Sequence, residues 1–216
     1  AYSCDIQECS GGPPEWHLCG DIDDVLWAAE VEPPEWAKMK TQDGEWHKLP
    51  KWDAVIAFPP CTNLAVSGAR YFEKKREDGR QRKAIEFFCK FMSLKCEKVV
   101  IENPVNIISG DYVKKWFPDL AEKYDLPKKP TQTIHPWMFG HNASKKTCLW
   151  INGFPKLKAT EIIEPDENGR YANQTKDGQN MLIVDGKWIG WNDPRTAKQR
   201  SKTYEGVARA VAEQWG

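Results

Sequence analysis

The sequence predicts an α/β fold carrying a small β-rich appendage, and three observations point there. Two short apolar runs, residues 53–58 (DAVIAF) and 98–101 (KVVI), flank the most regular amphipathic segment of the chain, residues 80–95. Strand-length runs that are apolar throughout suit strands covered on both faces, and a strand–helix–strand succession of this kind joins parallel neighbours. Beyond Pro130 the texture changes to short strand-like runs punctuated by Pro, Asn, Asp and Gly, the pattern of short strands joined by turns.

In chain order, residues 1–6 alternate loosely, as a strand does, and stop at the turn-rich Gly11-Gly12-Pro13-Pro14. Residues 25–31 form an apolar run that suits a strand or a helical turn equally. Residues 32–50 are rich in Pro, Trp and charge and are expected to form a surface loop. Residues 53–58 are expected as a buried strand halted by Pro59-Pro60, because proline brings no ladder donor. A long loop is expected over 61–79, basic at Lys74, Lys75 and Arg76. Within 80–95, Ala84, Phe87, Phe88, Phe91 and Met92 recur at helical spacing and make one buried stripe. The second buried strand, 98–101, is ended by Glu102-Asn103-Pro104. Residues 131–134, 147–151 and 181–191 read as short strands, the last with a hairpin turn at Asp185-Gly186, and 155–180 as an insertion. A closing helix is expected over 203–215, with Val207, Ala208, Val211, Ala212 and Trp215 on its apolar face.

Composition narrows the function classes. The 216 residues include 31 Lys plus Arg against 31 Asp plus Glu, a formal net charge of zero. A protein held on nucleic acid by bulk positive charge is therefore excluded, though a local basic groove is not. The 40% hydrophobic and 12% aromatic content excludes a disordered chain. No 18-residue apolar stretch is present, so no membrane helix is expected. The first residues carry no basic-then-apolar leader pattern. Together with seven irregularly spaced cysteines, at 4, 9, 19, 61, 89, 96 and 148, this predicts reduced thiols in a cytoplasm. Cys4, Cys9, His17 and Cys19 fit no zinc spacing, and no metal is predicted.

The two predicted strands end in chemically useful residues. In open α/β sheets ligands bind beyond the carboxyl ends of the strands. If the two strands are neighbours, Cys61 and Glu102 enter one cleft. A thiolate attacks an electrophilic carbon, and a buried carboxyl, its pKa raised by desolvation, hands over a proton. Alone, a Cys after Pro-Pro is more often a small buried residue than a nucleophile. The pairing with Glu102 makes it a candidate.

These residues carry a resemblance. Residues 58–68 (FPPCTNLAVSG) look like the Pro-Cys nucleophile loop of the cytosine-5 DNA methyltransferases, and Glu102-Asn103-Pro104 is similar to that family's Glu-Asn-Val element. Gly20-Asp21-Ile22 is similar to its Gly-Asp-Ile segment, and Asp5 falls where the acidic residue ending the second strand is expected. The likeness is closest to short, phage-type members, which carry runs like 132–141 (QTIHPWMFGH), 145–150 (KKTCLW) and 200–215 (RSKTYEGVARAVAEQW). It covers nearly the whole chain and keeps motif order.

The resemblance implies a Rossmann-like class I methyltransferase sheet and methylation of DNA at carbon 5 of cytosine with S-adenosylmethionine. Cys61 is then the nucleophile, Glu102 the group that protonates or hydrogen-bonds the ring at nitrogen 3, and Asn103 a support for the nucleophile loop. Asp5 would meet the cofactor ribose, Asp21 and Ile22 its adenine, and Pro60 its methionine end, with Ile6 also assigned to the cofactor. Lys145 and Lys146 stand where the family has an Arg-rich segment holding base and phosphates, and with Arg200 they are assigned to DNA. The implied organisation is a catalytic core over 1–150, a small insertion over 151–194 as a possible target-recognition element, and a C-terminal segment over 195–216 returning to the core.

On this likeness the chain starts at the family's second strand, so the initial strand and Gly-rich loop are expected to be missing. A monomer acting on cytosine-containing DNA is expected. Two other readings keep part of the argument: a non-catalytic DNA-binding module, or a methyltransferase of free cytosine nucleotides. A Cys–His hydrolase using His135 or His141 would leave Glu102-Asn103-Pro104 without a role.

Overall fold

In the computed structural model, residues 1–9, 11–28, 37–49, 51–190 and 193–216 are described. The chain is mixed α/β. The first elements are β1 (Ser3–Asp5) and β2 (His17–Cys19), a parallel pair with Asp5 opposite Cys19, followed by α1 (Ile22–Ala28). The ambiguous apolar run is thus helical through Ala28, and its last three positions lie outside the described residues. Part of the expected 32–50 loop is instead an antiparallel hairpin, β3 (Ala37–Lys40) and β4 (Trp46–Leu49), with Met39 opposite His47. Met39 and Leu18 are buried there, with Tyr2, Cys4, Val25 and Trp52 packed around them.

The central sheet begins with β5 (Ala54–Ala57). Its sequence reads as fully covered, yet among the described residues β5 is an edge strand, and Ile56 and Phe58 are 40% and 60% exposed. The expected 61–79 loop contains a 3-10 turn at Val66–Tyr71 and α2 (Phe72–Glu77), which buries Phe72 and Lys75. Then come α3 (Arg80–Met92), β6 (Lys98–Pro104), α4 (Tyr112–Trp116) and α5 (Pro118–Lys123). The α3 face is rotated from the predicted stripe: Gln81, Ile85, Phe88, Cys89 and Phe91 are buried, while Ala84, Phe87 and Met92 are only partly so. The two strands 53–58 and 98–101 are parallel neighbours as predicted, with Ala57 opposite Ile101.

The sheet is completed by β7 (Gln132–Ile134) and β8 (Thr147–Asn152), giving the order β5-β6-β8-β7, with β8 antiparallel to both its neighbours. Pairing with β8 carries β6 beyond Ile101, so that Glu102, Asn103 and Pro104 face Leu149, Cys148 and Thr147. Alternation then sorts the core into two layers. Val99, Ile101, Cys148 and Trp150 pack with Phe88 and Ile85 of α3; Val100, Leu149 and Ile134 pack on the opposite side with Ala210, Val207, Val211 and Trp215.

The remaining elements are β9 (Leu182–Val184), β10 (Lys187–Ile189), α6 (Arg195–Ser201) and α7 (Glu205–Trp215). The expected hairpin turn is present, with positive φ at both Asp185 and Gly186, and position 191 lies outside the described residues. The appendage is less β-rich than expected: between β8 and β9 the chain runs in turns rather than strands. The inner face of α7 is also displaced by one position, since Ala210 is buried while Ala208 and Ala212 are exposed. No helix among the described residues is long and apolar enough to cross a membrane.

Candidate functional site

The parallel register sets the site. With Ala57 opposite Ile101, the chain leaves β5 at Phe58-Pro59-Pro60-Cys61 beside Glu102 and Asn103 of β6. Two prolines in succession leave no backbone N–H to satisfy at this exit. The Asn103 side chain, 1% exposed, donates from Nδ2 to the Pro59 carbonyl at 2.7 Å. Its Oδ1 accepts from Asn106 Nδ2 at 3.0 Å, and Asn106 Oδ1 accepts from the Ile108 backbone N–H at 3.0 Å. A buried amide chain thus joins the exit of β5 to the exit of β6.

The loop that follows is closed on itself and on its neighbour. The backbone N–H groups of Leu64 and Ala65 donate to the Cys61 carbonyl at 2.9 and 2.8 Å. Val66 N–H donates to Val105 O at 3.0 Å, and Ile107 N–H to Leu64 O at 3.1 Å. Leu64, wholly buried, anchors the turn in the core, and Cys61 remains half-buried at its head.

The electrostatics separate an acid from its surroundings. Burial raises the Glu102 carboxyl above the ordinary carboxylate range, and Lys145 pulls weakly the other way. Burial lowers the Lys145 ammonium, opposed by Glu102 and Cys61 and reinforced by Arg200. Lys145, assigned to DNA by the resemblance, is half-buried, and its Nζ donates to the Arg200 and Lys202 carbonyls at 3.0 and 3.3 Å, beside Glu102. Lys146 and Arg200 are exposed.

The residues assigned to the cofactor fall into two groups. Asp5 and Ile6 follow β1, and Asp21 and Ile22 follow β2; the Gly20 N–H donates to the Asp5 carbonyl at 3.1 Å and holds these ends together. Asp5 Oδ1 accepts from Gln7 N–H at 3.0 Å, and Asp21 Oδ1 from Asp23 N–H at 2.9 Å, opening α1. Both carboxylates are exposed. Pro60 is exposed beside Cys61. The fit to an adenosine group is one of donor chemistry: exposed carboxylates accept from ribose hydroxyls and an exocyclic amine.

The arginines of α2 and α3 are engaged within the fold. Arg80 pairs with Asp78 at 2.6 Å, Arg82 bridges Asp119 and Glu86, and Arg76 donates to Tyr112 Oη at 2.7 Å while lying over the Trp116 ring. For the hydrolase reading, His141 Nε2 accepts from Gly206 N–H at 2.8 Å, and His135 lies 3.5 Å from Ser144 Oγ. Among the described residues no cluster of three or more His, Cys, Asp or Glu is arranged to hold a metal, and all seven cysteines are free thiols.

Sequence reasoning missed Asn106, Lys75 and Gln81. Gln81, fully buried, donates from Nε2 to the Asn63 carbonyl at 3.2 Å. Lys75 belongs to a basic run of the kind that usually faces solvent, so nothing in the sequence marked it. Compared with known proteins, the chain matches no family model and no curated protein.

Proposed function

We propose that the protein transfers a methyl group from S-adenosylmethionine to carbon 5 of cytosine in DNA, on a Rossmann-like methyltransferase sheet. The observation that carries the reading is the placement of Cys61 and of Glu102, whose carboxyl burial raises, at the carboxyl ends of two parallel neighbours, tied together through Asn103. The target base leaves the helical stack, because its reacting atoms are shielded there. The Cys61 thiolate adds to carbon 6. Glu102 gives its proton to nitrogen 3, so the electron pair displaced by the addition is available at carbon 5 as an enamine. Asp5, Ile6, Asp21, Ile22 and Pro60 would hold S-adenosylmethionine, which when bound would supply an electrophilic methyl group for carbon 5 and leave as S-adenosylhomocysteine. Loss of the carbon 5 proton to a base then expels Cys61, and the nitrogen 3 proton returns to Glu102. Lys146 and Arg200, both exposed, supply phosphate contacts.

The test is mechanism-based trapping. Protein is incubated with oligonucleotides of varied sequence containing 5-fluorocytosine, with S-adenosylmethionine, and intact masses are recorded. Fluorine does not leave as a proton does, so a methylated protein–DNA adduct mapping to Cys61 is expected, and Cys61→Ala removes it. Adducts that survive Cys61→Ala would refute the assignment. DNA binding that is indifferent to S-adenosylmethionine, with no adduct, would favour a binding module instead.

A further inference from the structure

Lys75 is a lysine that folding has largely removed from water, and among the described residues it has no ion-pair partner. It sits on α2, is 7% exposed, and its Nζ donates to the Thr62 carbonyl, one residue after Cys61. The same ammonium lies 3.4 Å from where a Cβ on Gly68 would stand, so it fills the curl of residues 62–68. The next carbonyl along, that of Asn63, is held by Gln81 of α3. Two consecutive carbonyls of the Cys61 loop are therefore gripped from beneath, by one charged donor and one neutral donor.

From this placement we infer that Lys75 is a positioning residue for Cys61, fixing the loop through Thr62 and holding a positive charge beneath the thiol. The inference rests on the reading of Cys61 as a nucleophile. A neutral donor would serve if the loop needed only a tether, as Gln81 does. Removing a lysine from water carries a penalty, and its positive charge favours a thiolate nearby. The charges around Lys75 are consistent with that role. Burial lowers its ammonium, Arg80 adds to the effect, and Asp78 and Cys61 oppose it. Cys61 also meets Lys145, which enters from ahead of β8 with Glu102 and Arg200 as its own neighbours. The thiol thus lies in the field of two partly desolvated cations, one from α2 and one from the β8 side.

The test reads the thiol directly and needs neither DNA nor cofactor. Full-length wild type and the variants Lys75→Gln, Lys75→Met, Lys75→Arg and Gln81→Leu are alkylated with iodoacetamide from pH 5.5 to 9.5, and the Cys61 peptide is quantified by mass. Lys75→Gln keeps a polar side chain, one bond shorter, and drops the charge. Its alkylation profile is expected to move to higher pH by about half a unit to one unit, a rate loss of up to about tenfold at neutral pH. Lys75→Met shows the same shift, Lys75→Arg restores the wild-type profile, and Gln81→Leu changes the rate without moving the profile. If Lys75→Met fails to fold, Lys75→Gln carries the comparison. A wild-type profile in Lys75→Gln, or equal shifts in Lys75→Gln and Gln81→Leu, would overturn the inference. A charge effect on Cys61 with no trapped DNA adduct would refute the proposed reaction and leave this inference standing. A trapped adduct with unshifted alkylation would do the reverse.

Discussion

Asn103→Ala tests whether the site is built as described. The wild-type amide satisfies the Pro59 carbonyl with its Nδ2 and the Asn106 Nδ2 with its Oδ1, in a position 1% exposed. Truncation leaves both of those groups buried without a partner. Each stranded group costs about 1–3 kcal/mol. The sum is about 2–6 kcal/mol, and partial relaxation makes about 3 kcal/mol the working expectation. At about 2–4 °C per kcal/mol for a chain of this size, the melting temperature falls by about 6–12 °C. Asn103→Asp refines the test. It keeps an acceptor for Asn106 but sets an oxygen against the Pro59 carbonyl, unless the acid is protonated and donates. Its folded pKa is then raised. The stability this gives is complete below the unfolded value of about 3.9 and is lost as pH rises through the folded one. Urea titrations at pH 4, 5.5 and 7 separate the variants: Asn103→Asp approaches wild type at the lowest pH and falls away above it. An Asn103→Ala variant within about 0.5 kcal/mol of wild type, the scatter of an ordinary surface change, would refute the buried amide chain and with it the coupling of the two strand ends.

Three further outcomes follow from the same geometry. Burial raises the Glu102 carboxyl above its usual value of 4.5, so the stability of the neutral acid is complete below that pH and lost as pH rises through the folded value. Glu102→Gln, which cannot ionise, gains on wild type across that window in melting temperature measured against pH, while adduct formation drops by about 100-fold or more. In Gly206→Ala a Cβ would meet the Phe139 carbonyl at 1.9 Å and His141 Nε2 at 3.0 Å. The clash outweighs alanine's helical advantage of about 1 kcal/mol, and thermal melts show net destabilisation. Lys145→Met removes the donor to the Arg200 and Lys202 carbonyls. Amide exchange across 200–204 accelerates by about tenfold, the equivalent of one lost hydrogen bond.

The parts of this fold legible in the sequence are those where one local signal meets no competitor. The β5–α3–β6 crossover is legible because two apolar runs and an amphipathic helix sit within 50 residues of chain, and the β9–β10 turn because Asp-Gly tolerates positive φ. The β3–β4 hairpin was not, since its strands carry Lys, Trp and His, residues that read as surface, and it rests on only a small cluster around Leu18 and Met39. The α3 stripe was read from its aromatic spacing; the centre of the buried face is at Ile85, Phe88 and Cys89, with Gln81 drawn in because Asn63 and Tyr112 give its amide partners. The placement of Cys61, Glu102 and Asn103 at two adjoining strand exits was legible because both apolar runs end there. The burial of Lys145 and Lys75 was not, because both depend on backbone carbonyls contributed by distant segments, and a carbonyl has no signature in sequence.

That last point explains how this site is held together. Salt bridges such as Lys90–Asp23 and Arg82–Asp119 lie on exposed surfaces, where such pairs contribute little and are screened by salt. The contacts around Cys61 are of another kind. Asn103, Gln81, Lys75 and Lys145 each donate to a main-chain carbonyl, at Pro59, Asn63, Thr62 and Arg200 respectively. A carbonyl grip fixes the backbone rather than a mobile side-chain tip. It also leaves the donors' positive charge uncancelled, which a carboxylate partner would not. Two of the four donors are cations, and both lie in the field of the one thiol that heads the loop. Glu102 stays apart from this pattern: burial raises its carboxyl, and Lys145 opposes the shift. Two cations therefore stand near Cys61 while desolvation raises the neighbouring Glu102 carboxyl, and this is the contrast that the proposed pairing of a nucleophile with an acid calls for.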